Sequence, residues 1–206
     1  MPRATYFNLD PDKQERIFAA AVAEFAARPF SEASINQIVK KAGISRGSFY
    51  QYFENKEDLY LYMIAEIGKE KMQRFEQARV FATEADFFTT YLELYKIGLA
   101  WVQEKPEYNR IFLLMELDDS DFIAKLRALS AEGFDILKGL LERDKERGLI
   151  RPDVDSDLVI DIVYDLMLQS FKRYYQRGSE EKLRRRVEGI LQIIKEGIGV
   201  KDRGEG

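Results

Sequence analysis

Apolar residues in this chain return every three or four positions, and no stretch sustains the every-second-residue alternation of a half-buried strand. Ile17, Phe18, Ala21, Val22 and Phe25 fall on one broad helical face. Proline, which interrupts helices, is limited to five residues. The pattern predicts an all-α fold.

Start and stop signals place the first helices. Asp10 can cap a helix whose first residue is Pro11 and which stops around Arg28, before Pro29. Ser34 opens a second, with Gln37 three residues on as the partner in a capping box. Its inward residues are Ile35, Ile38, Val39 and Ala42, and Gly43 supplies the left-handed cap at its end. Ser45 caps a third helix of two turns, and Asn55 caps a long fourth one with Glu57 and Asp58 in its first turn. Further helices are expected at 84–104, 107–117, 120–147, 156–177 and 179–198, with no internal repeat or flexible linker between them.

Composition removes several chemistries. The chain has no cysteine and no histidine, which excludes disulfides, thiolate metal sites, histidine-ligated zinc and Ser-His-Asp catalysis. No apolar run approaches a membrane span and no signal-peptide core opens the sequence, so a cytoplasmic location without membrane contact is expected. No cofactor is predicted. The net charge of -4 argues against a nucleic-acid partner on average, yet residues 40–56 carry Lys40, Lys41, Arg46 and Lys56 against Glu54 alone. One face can therefore be basic on a mildly acidic protein.

The string "GISRGSFYQYF", Gly43 to Phe53, lies within that basic stretch. Two short helices joined by a glycine turn make a helix-turn-helix unit. On the second of them Phe49 and Phe53 share the inward face, while Gly47 and Gln51 centre the opposite one, flanked by Ser48 and Tyr50. Little bulk near the start of that face lets the backbone approach another surface, and Gln51 can donate and accept together, as the major-groove edge of adenine requires. Arg46, Tyr50 and Tyr52 can reach phosphates, and the start of the fourth helix with Lys56 forms a second phosphate seat. The same spacing also suits a plain helical hairpin whose tyrosines cover core.

The longer string Phe30 to Ile64 resembles the DNA-binding domain of the TetR family of bacterial transcriptional regulators. Its matching elements are Ile38, Ala42-Gly43-Ile44-Ser45, Gly47, Phe49-Tyr50, Tyr52-Phe53 and Asn55-Lys56-Glu57-Asp58-Leu59. The likeness covers about the first 65 residues; beyond them only the helical plan matches. Family members often carry histidine where Tyr52 stands. The resemblance implies a three-helix DNA-binding domain over residues 1–55 and a larger helical ligand-binding and dimerisation domain over 56–206. The DNA-binding set expected is Ser34, Ser45, Arg46, Gly47, Ser48, Tyr50, Gln51, Tyr52 and Lys56.

Helix 156–177 is apolar over so wide an arc that more than one side must be covered. The resemblance implies that it and the last helix form a four-helix homodimer interface, with Leu158, Ile162, Leu166, Val187, Ile190, Leu191 and Ile194 in the seam, although an internal core could use the same residues. It also implies a cavity for a small-molecule effector, for which Tyr91, Tyr95, Trp101, Phe112, Phe134 and Tyr164 are lining candidates. With no histidine or cysteine available, an apolar cavity and a lipophilic or aromatic effector are expected. Asp153, Asp155 and Asp157 alternate like the start of a calcium loop, but leucine and tyrosine occupy the required glycine and glutamate positions, so helix capping is the better account. The acidic "ELDDSD" around Asp118 is expected to be a solvated cluster, Arg184 to Arg186 a solvated face opposite nearby glutamates, and 197–206 a fraying tail. The reading is a dimeric repressor on a palindromic double-stranded operator, released by a small molecule. Two alternatives are a helical partner-binding module without DNA binding and a carboxylate-based enzyme.

Overall fold

A computed structural model describes residues 1–82, 84–130 and 134–199. Its α-helices in chain order are α1 (Ala4–Phe7), α2 (Pro11–Ala27), α3 (Ile35–Ala42), α4 (Arg46–Tyr52), α5 (Lys56–Gln77), α6 (Phe87–Glu104), α7 (Pro106–Glu116), α8 (Asp121–Ser130), α9 (Asp135–Glu146), α10 (Ser156–Arg177) and α11 (Glu180–Ile198). Short 3-10 turns lie at Phe30–Glu32 and Val80–Ala82. No strand occurs among the described residues beyond an isolated bridge between Ile150 and Gly199. The tail expected at 197–206 lies, from Val200 onward, outside the described residues.

The caps explain most boundaries. Asp10 accepts the amide of Asp12 ahead of Pro11, Ser45 accepts that of Ser48, Asn55 that of Asp58 and Ser179 that of Lys182. Asp155 accepts from Asp157 and Leu158, which gives the alternating aspartates their role at the start of α10. Gly43 closes α3 at φ 66°, a conformation that disfavours residues bearing a Cβ. The capping box at Ser34 does not form. Ser34 occupies the N-cap position, but its hydroxyl makes no cap bond; its amide instead donates to the buried Glu24 carboxylate at 3.1 Å.

Contacts divide the chain into two compact units: Met1–Ala78 with Ile97–Leu129, and Arg79–Lys96 with Ser130–Gly206. The division does not follow residue 55. Leu59, Tyr60, Met63 and Ile67 of α5 complete the core begun by α2, α3 and α4, so α5 packs with the first unit. In that unit α2 packs on α3, α5 and α7, and α1 on α4. The short α1 had no signal in the periodicity, yet it buries Tyr6 completely, with its ring 4.9 Å from that of Phe53. Phe25 and Tyr60 meet edge to face at 4.8 Å, and Phe30 lies 4.5 Å from Phe122.

In the second unit α10 packs on α11 and α9. Asp144 of α9 is fully buried and accepts the amide of Phe87 at 2.6 Å, with Arg147 3.3 Å from its other oxygen. The single helix expected over 120–147 is two helices, α8 and α9. Each serves a different unit: Ile123 of α8 joins the first core, and Leu141 and Asp144 of α9 are buried in the second unit.

Candidate nucleic-acid interface

The sequence of α4 sorts its side chains by depth. Phe49 and Phe53 are fully buried in the first unit's core, which anchors the helix, itself packed on α1 and α3. That anchoring turns Arg46, Gly47, Tyr50 and Gln51 outward to solvent, with Ser45 exposed at the cap. Asn36, Gln37 and Lys40 of α3 are exposed as well. Arg46 joins the two helices, donating to Asn36 Oδ1 at 2.8 Å and to the Tyr50 hydroxyl at 3.3 Å. Its guanidinium also lies 5.8 Å from the Tyr50 ring centroid. Asn36 is thus part of this polar surface, although periodicity gave it no distinction from other outward residues of α3.

Gly47 is not required by its own fold. A Cβ built there would meet only Ser45 Oγ, at 3.7 Å, an ordinary contact, and the backbone is helical. A helix interior gains from replacing glycine, by about 1 kcal/mol relative to alanine. Here the bare backbone is turned toward solvent beside Gln51 and Tyr50.

Two of the expected phosphate contacts have partners within the chain. Tyr52 is 6% exposed; its hydroxyl accepts from Lys13 Nζ at 3.1 Å, so the side chain belongs to the core and to α2. Lys56 points its ammonium back at three backbone carbonyls, those of Phe30 at 2.6 Å, Ala33 at 2.9 Å and Ser31 at 3.4 Å. Burial lowers the Lys56 pKa, against the raising pull of Asp118 and Glu57. Ser34 remains half-buried at the start of α3 with its hydroxyl off the backbone.

A further correction concerns Asp118. It is 2% exposed rather than solvated, and it accepts the Ser31 amide at 2.7 Å and the Ser120 amide at 2.9 Å. Its neighbour Arg127 donates to the carbonyls of Met115 at 2.6 Å and Asp118 at 2.9 Å. The turn between α7 and α8 is thereby tied to the segment that leads into α3.

The six lining candidates are divided between the two units. Trp101 belongs to the first unit's core, 1% exposed, with its ring nitrogen donating to Glu70 at 3.0 Å; Phe112 packs half-buried on the same core. In the second unit Tyr91 lies by Phe87, Tyr95 by Phe171 and Phe134 by Tyr164, in separate pairs. The Tyr95 hydroxyl is buried with no hydrogen-bond partner, and burial pushes its pKa up to about 12.

The seam residues also separate. Val187 and Leu191 are buried within their own chain, on the helix that packs against α10. Leu158 is 55% and Ile162 40% exposed, while Leu166, Ile190 and Ile194 are half-buried. Ile193, which the sequence reading passed over, is 72% exposed. Among the described residues no helix is long and apolar enough to cross a membrane, and no three acidic side chains are grouped to hold a metal.

Comparison with known proteins agrees with this geometry. Residues 17–63 match the model of the bacterial regulatory proteins, tetR family. The Fatty acid metabolism regulator protein of Bacillus subtilis (strain 168) is 24% identical over 194 residues, which cover 90% of this chain and 95% of that protein. A TetR family transcriptional regulator from Chloroflexus aurantiacus J-10-fl is 27% identical, with a TM-score of 0.73 over 98% of this chain and 100% of its own. The transcriptional regulator FadR from Bacillus subtilis, solved in complex with stearoyl-CoA, shares the fold at a TM-score of 0.73 and 18% identity, over 89% of this chain and 98% of that one. The recessed Phe49 and Phe53, the outward Gly47 and Gln51 and these likenesses lead to one conclusion: residues 17–63 are a DNA-binding domain of the tetR type, and the chain as a whole resembles the TetR family of bacterial transcriptional regulators.

Proposed function

We propose that the chain is a cytoplasmic homodimeric repressor that reads a palindromic operator through α4 and leaves it when a lipophilic effector binds. The observation that carries the reading is the exposed Gly47, beside Gln51, on a helix whose own packing makes no use of the glycine. Gly47 admits close approach to the groove, Gln51 reads a base edge, and Ser45, Arg46, Ser48 and Tyr50 hold the sugar-phosphate backbone. Ser34 and Asn36 extend the contact from α3. A two-turn helix touches few base pairs, and a two-fold dimer doubles them across successive half-sites.

The functional division is residues 1–55 for DNA and 56–206 for effector and partner. Leu158, Ile162 and Ile193, with the half-buried Leu166, Ile190 and Ile194, form the apolar surface for a second copy. The buried, unpartnered Tyr95 hydroxyl supports an effector with one polar group among apolar walls, since such a group ordinarily has a partner. A long-chain acyl thioester is the first class to test, given the stearoyl-CoA in the FadR complex and the likeness to the Fatty acid metabolism regulator protein of Bacillus subtilis. These relatives are named as regulators, which supports a non-enzymatic role.

The test is fluorescence anisotropy with DNA from upstream of the chain's own coding region, with and without acyl thioesters. Sequence-preferring binding that the effector weakens by about 1–3 kcal/mol supports the reading. Binding indifferent to sequence sinks it.

A further inference from the structure

The elbow where α10 turns into α11 forms an open cavity of about 630 Å³, lined by Ser170, Arg173, Tyr174, Ser179, Lys182 and Arg186 among others. We propose that this cavity binds a phosphate-bearing small molecule of nucleotide size. The charge distribution carries the inference. In the arginine run, Arg184 pairs with Glu181 and Glu188, and Arg185 with Glu181, as a solvated helix face would. Arg186 departs from them: its Nε donates to Ser170 Oγ at 3.0 Å, and it has no carboxylate partner among the described residues. Arg173 and Lys182 likewise form no ion pair among the described residues, and all three cations line the same cavity. Unpaired cations converging on a recess favour an anion, and guanidinium groups favour phosphate oxygens through paired hydrogen bonds.

The recess has a built floor. Ser170 is 2% exposed and its hydroxyl donates to the Leu166 carbonyl at 2.6 Å while accepting from Arg186, which fixes the guanidinium in place. Tyr174 and Leu183 add apolar wall for the part of a ligand beyond its phosphates. The start of α11 is not itself the attraction, because Glu180 and Glu181 stand in its first turn. Size separates the candidates for the anion. A helix-borne aspartate from a second copy reaches only a few bonds from its backbone, whereas a cavity of this volume matches the range of small-molecule pockets, roughly 300–1,000 Å³. The inference does not depend on DNA reading by α4.

The experiment is isothermal titration calorimetry of the full chain without DNA, using pyrophosphate and ATP as probes. The variants are the double substitution Arg173→Gln with Lys182→Gln and, as a charge-matched control outside the cavity, the double substitution Arg184→Gln with Arg185→Gln. Arg186 is retained because it holds Ser170. Wild-type protein should bind both probes, the double variant should bind them at least about tenfold more weakly through two lost charge-assisted contacts, and the control should bind as wild type. Equal affinity for the two probes assigns recognition to the phosphates alone; tighter binding of ATP brings in the Tyr174 and Leu183 wall. Absence of binding by wild type, or equal losses in the double variant and the control, overturns the proposal. So does a double variant that loses its dimer while keeping its probe affinity, because the cations would then serve a second copy. A double variant that loses only affinity for DNA overturns it too.

Discussion

Asp118 Oδ2 accepts the amide of Ser31 at 2.7 Å, joining residues 87 positions apart. One partner sits in the turn after α7, the other in the 3-10 turn that leads to α3. The same 3-10 segment supplies carbonyls to Lys56, so a buried carboxylate and a buried-side ammonium hold it from opposite sides. This is a direct physical link between the reader's support and α7, which packs on α2.

Replacing Asp118 with Asn should remove the charge and leave one of its two amide donors less well satisfied. A loss of about 1–3 kcal/mol in chemical denaturation is expected. An unchanged midpoint and slope would show that the link contributes nothing to the folded state.

The pH response follows from the carboxylates. Burial acts to raise Asp118, Glu70 and Asp86, yet hydrogen bonds outweigh it: Ser120 and Ser31 on Asp118, Lys105 and Trp101 on Glu70, Thr89 and Lys195 on Asp86. All three pKa values lie below the ordinary ones. Their stabilisation is therefore complete above the unfolded-state values near 4 and is lost as pH falls through the lower folded-state values. With no histidine in the sequence, stability should be flat between about pH 6 and 8. Thermal melts across pH 3 to 8 check this (a range set by about the carboxylate and histidine values), and a transition near neutrality would contradict it.

Lys56 and Arg46 should behave differently under salt. Lys56→Met leaves three carbonyls without their donor, so the protein should lose stability while the salt dependence of DNA binding keeps its slope. Arg46→Ala should flatten that slope by about one unit with little change in stability. Titrations at several salt concentrations separate the two, and a flattened slope for Lys56→Met would restore it to the phosphate-contact set.

How far the sequence could be read depended on how local each cause is. Asp10, Ser45, Asn55 and Gly43 act within a turn of their own positions, and those helix boundaries were legible. Phe49 and Phe53 were legible as the inward face because four-residue spacing places them together. The partners of Lys56, Tyr52 and Asp118, which are Phe30, Lys13 and Ser31, lie 26, 39 and 87 residues away, and the burial of Asp118 was illegible for that reason. Nothing in local charge or spacing signals those pairings. Val187 and Leu191, buried within their own chain, carry a related ambiguity: a buried apolar side chain looks alike in sequence whether its own chain or a second copy covers it.

The surface for a second copy can be tested on the exposed residues. Ile162→Asp or Ile193→Asp places a charge on a side chain that is already solvated in the isolated chain, so the monomer should fold. If a partner covers it, the buried charge costs several kcal/mol and the dimer dissociates. Light scattering at micromolar concentration should then give a monomer for these variants and a dimer for the wild type. Leu191→Asp should instead fail to fold, because that position is core.

The claim that α4 reads DNA is tested most directly by Gly47→Gln, measured for both stability and operator binding. The added Cβ meets only an ordinary contact, Ser45 Oγ at 3.7 Å, on a helix that has better formers available than glycine. Stability should hold or rise by up to about 1 kcal/mol, while operator affinity falls more than about tenfold as the backbone is held off the groove. A variant as stable as the wild type that binds the operator with undiminished affinity would contradict the assignment of α4 as the reading helix.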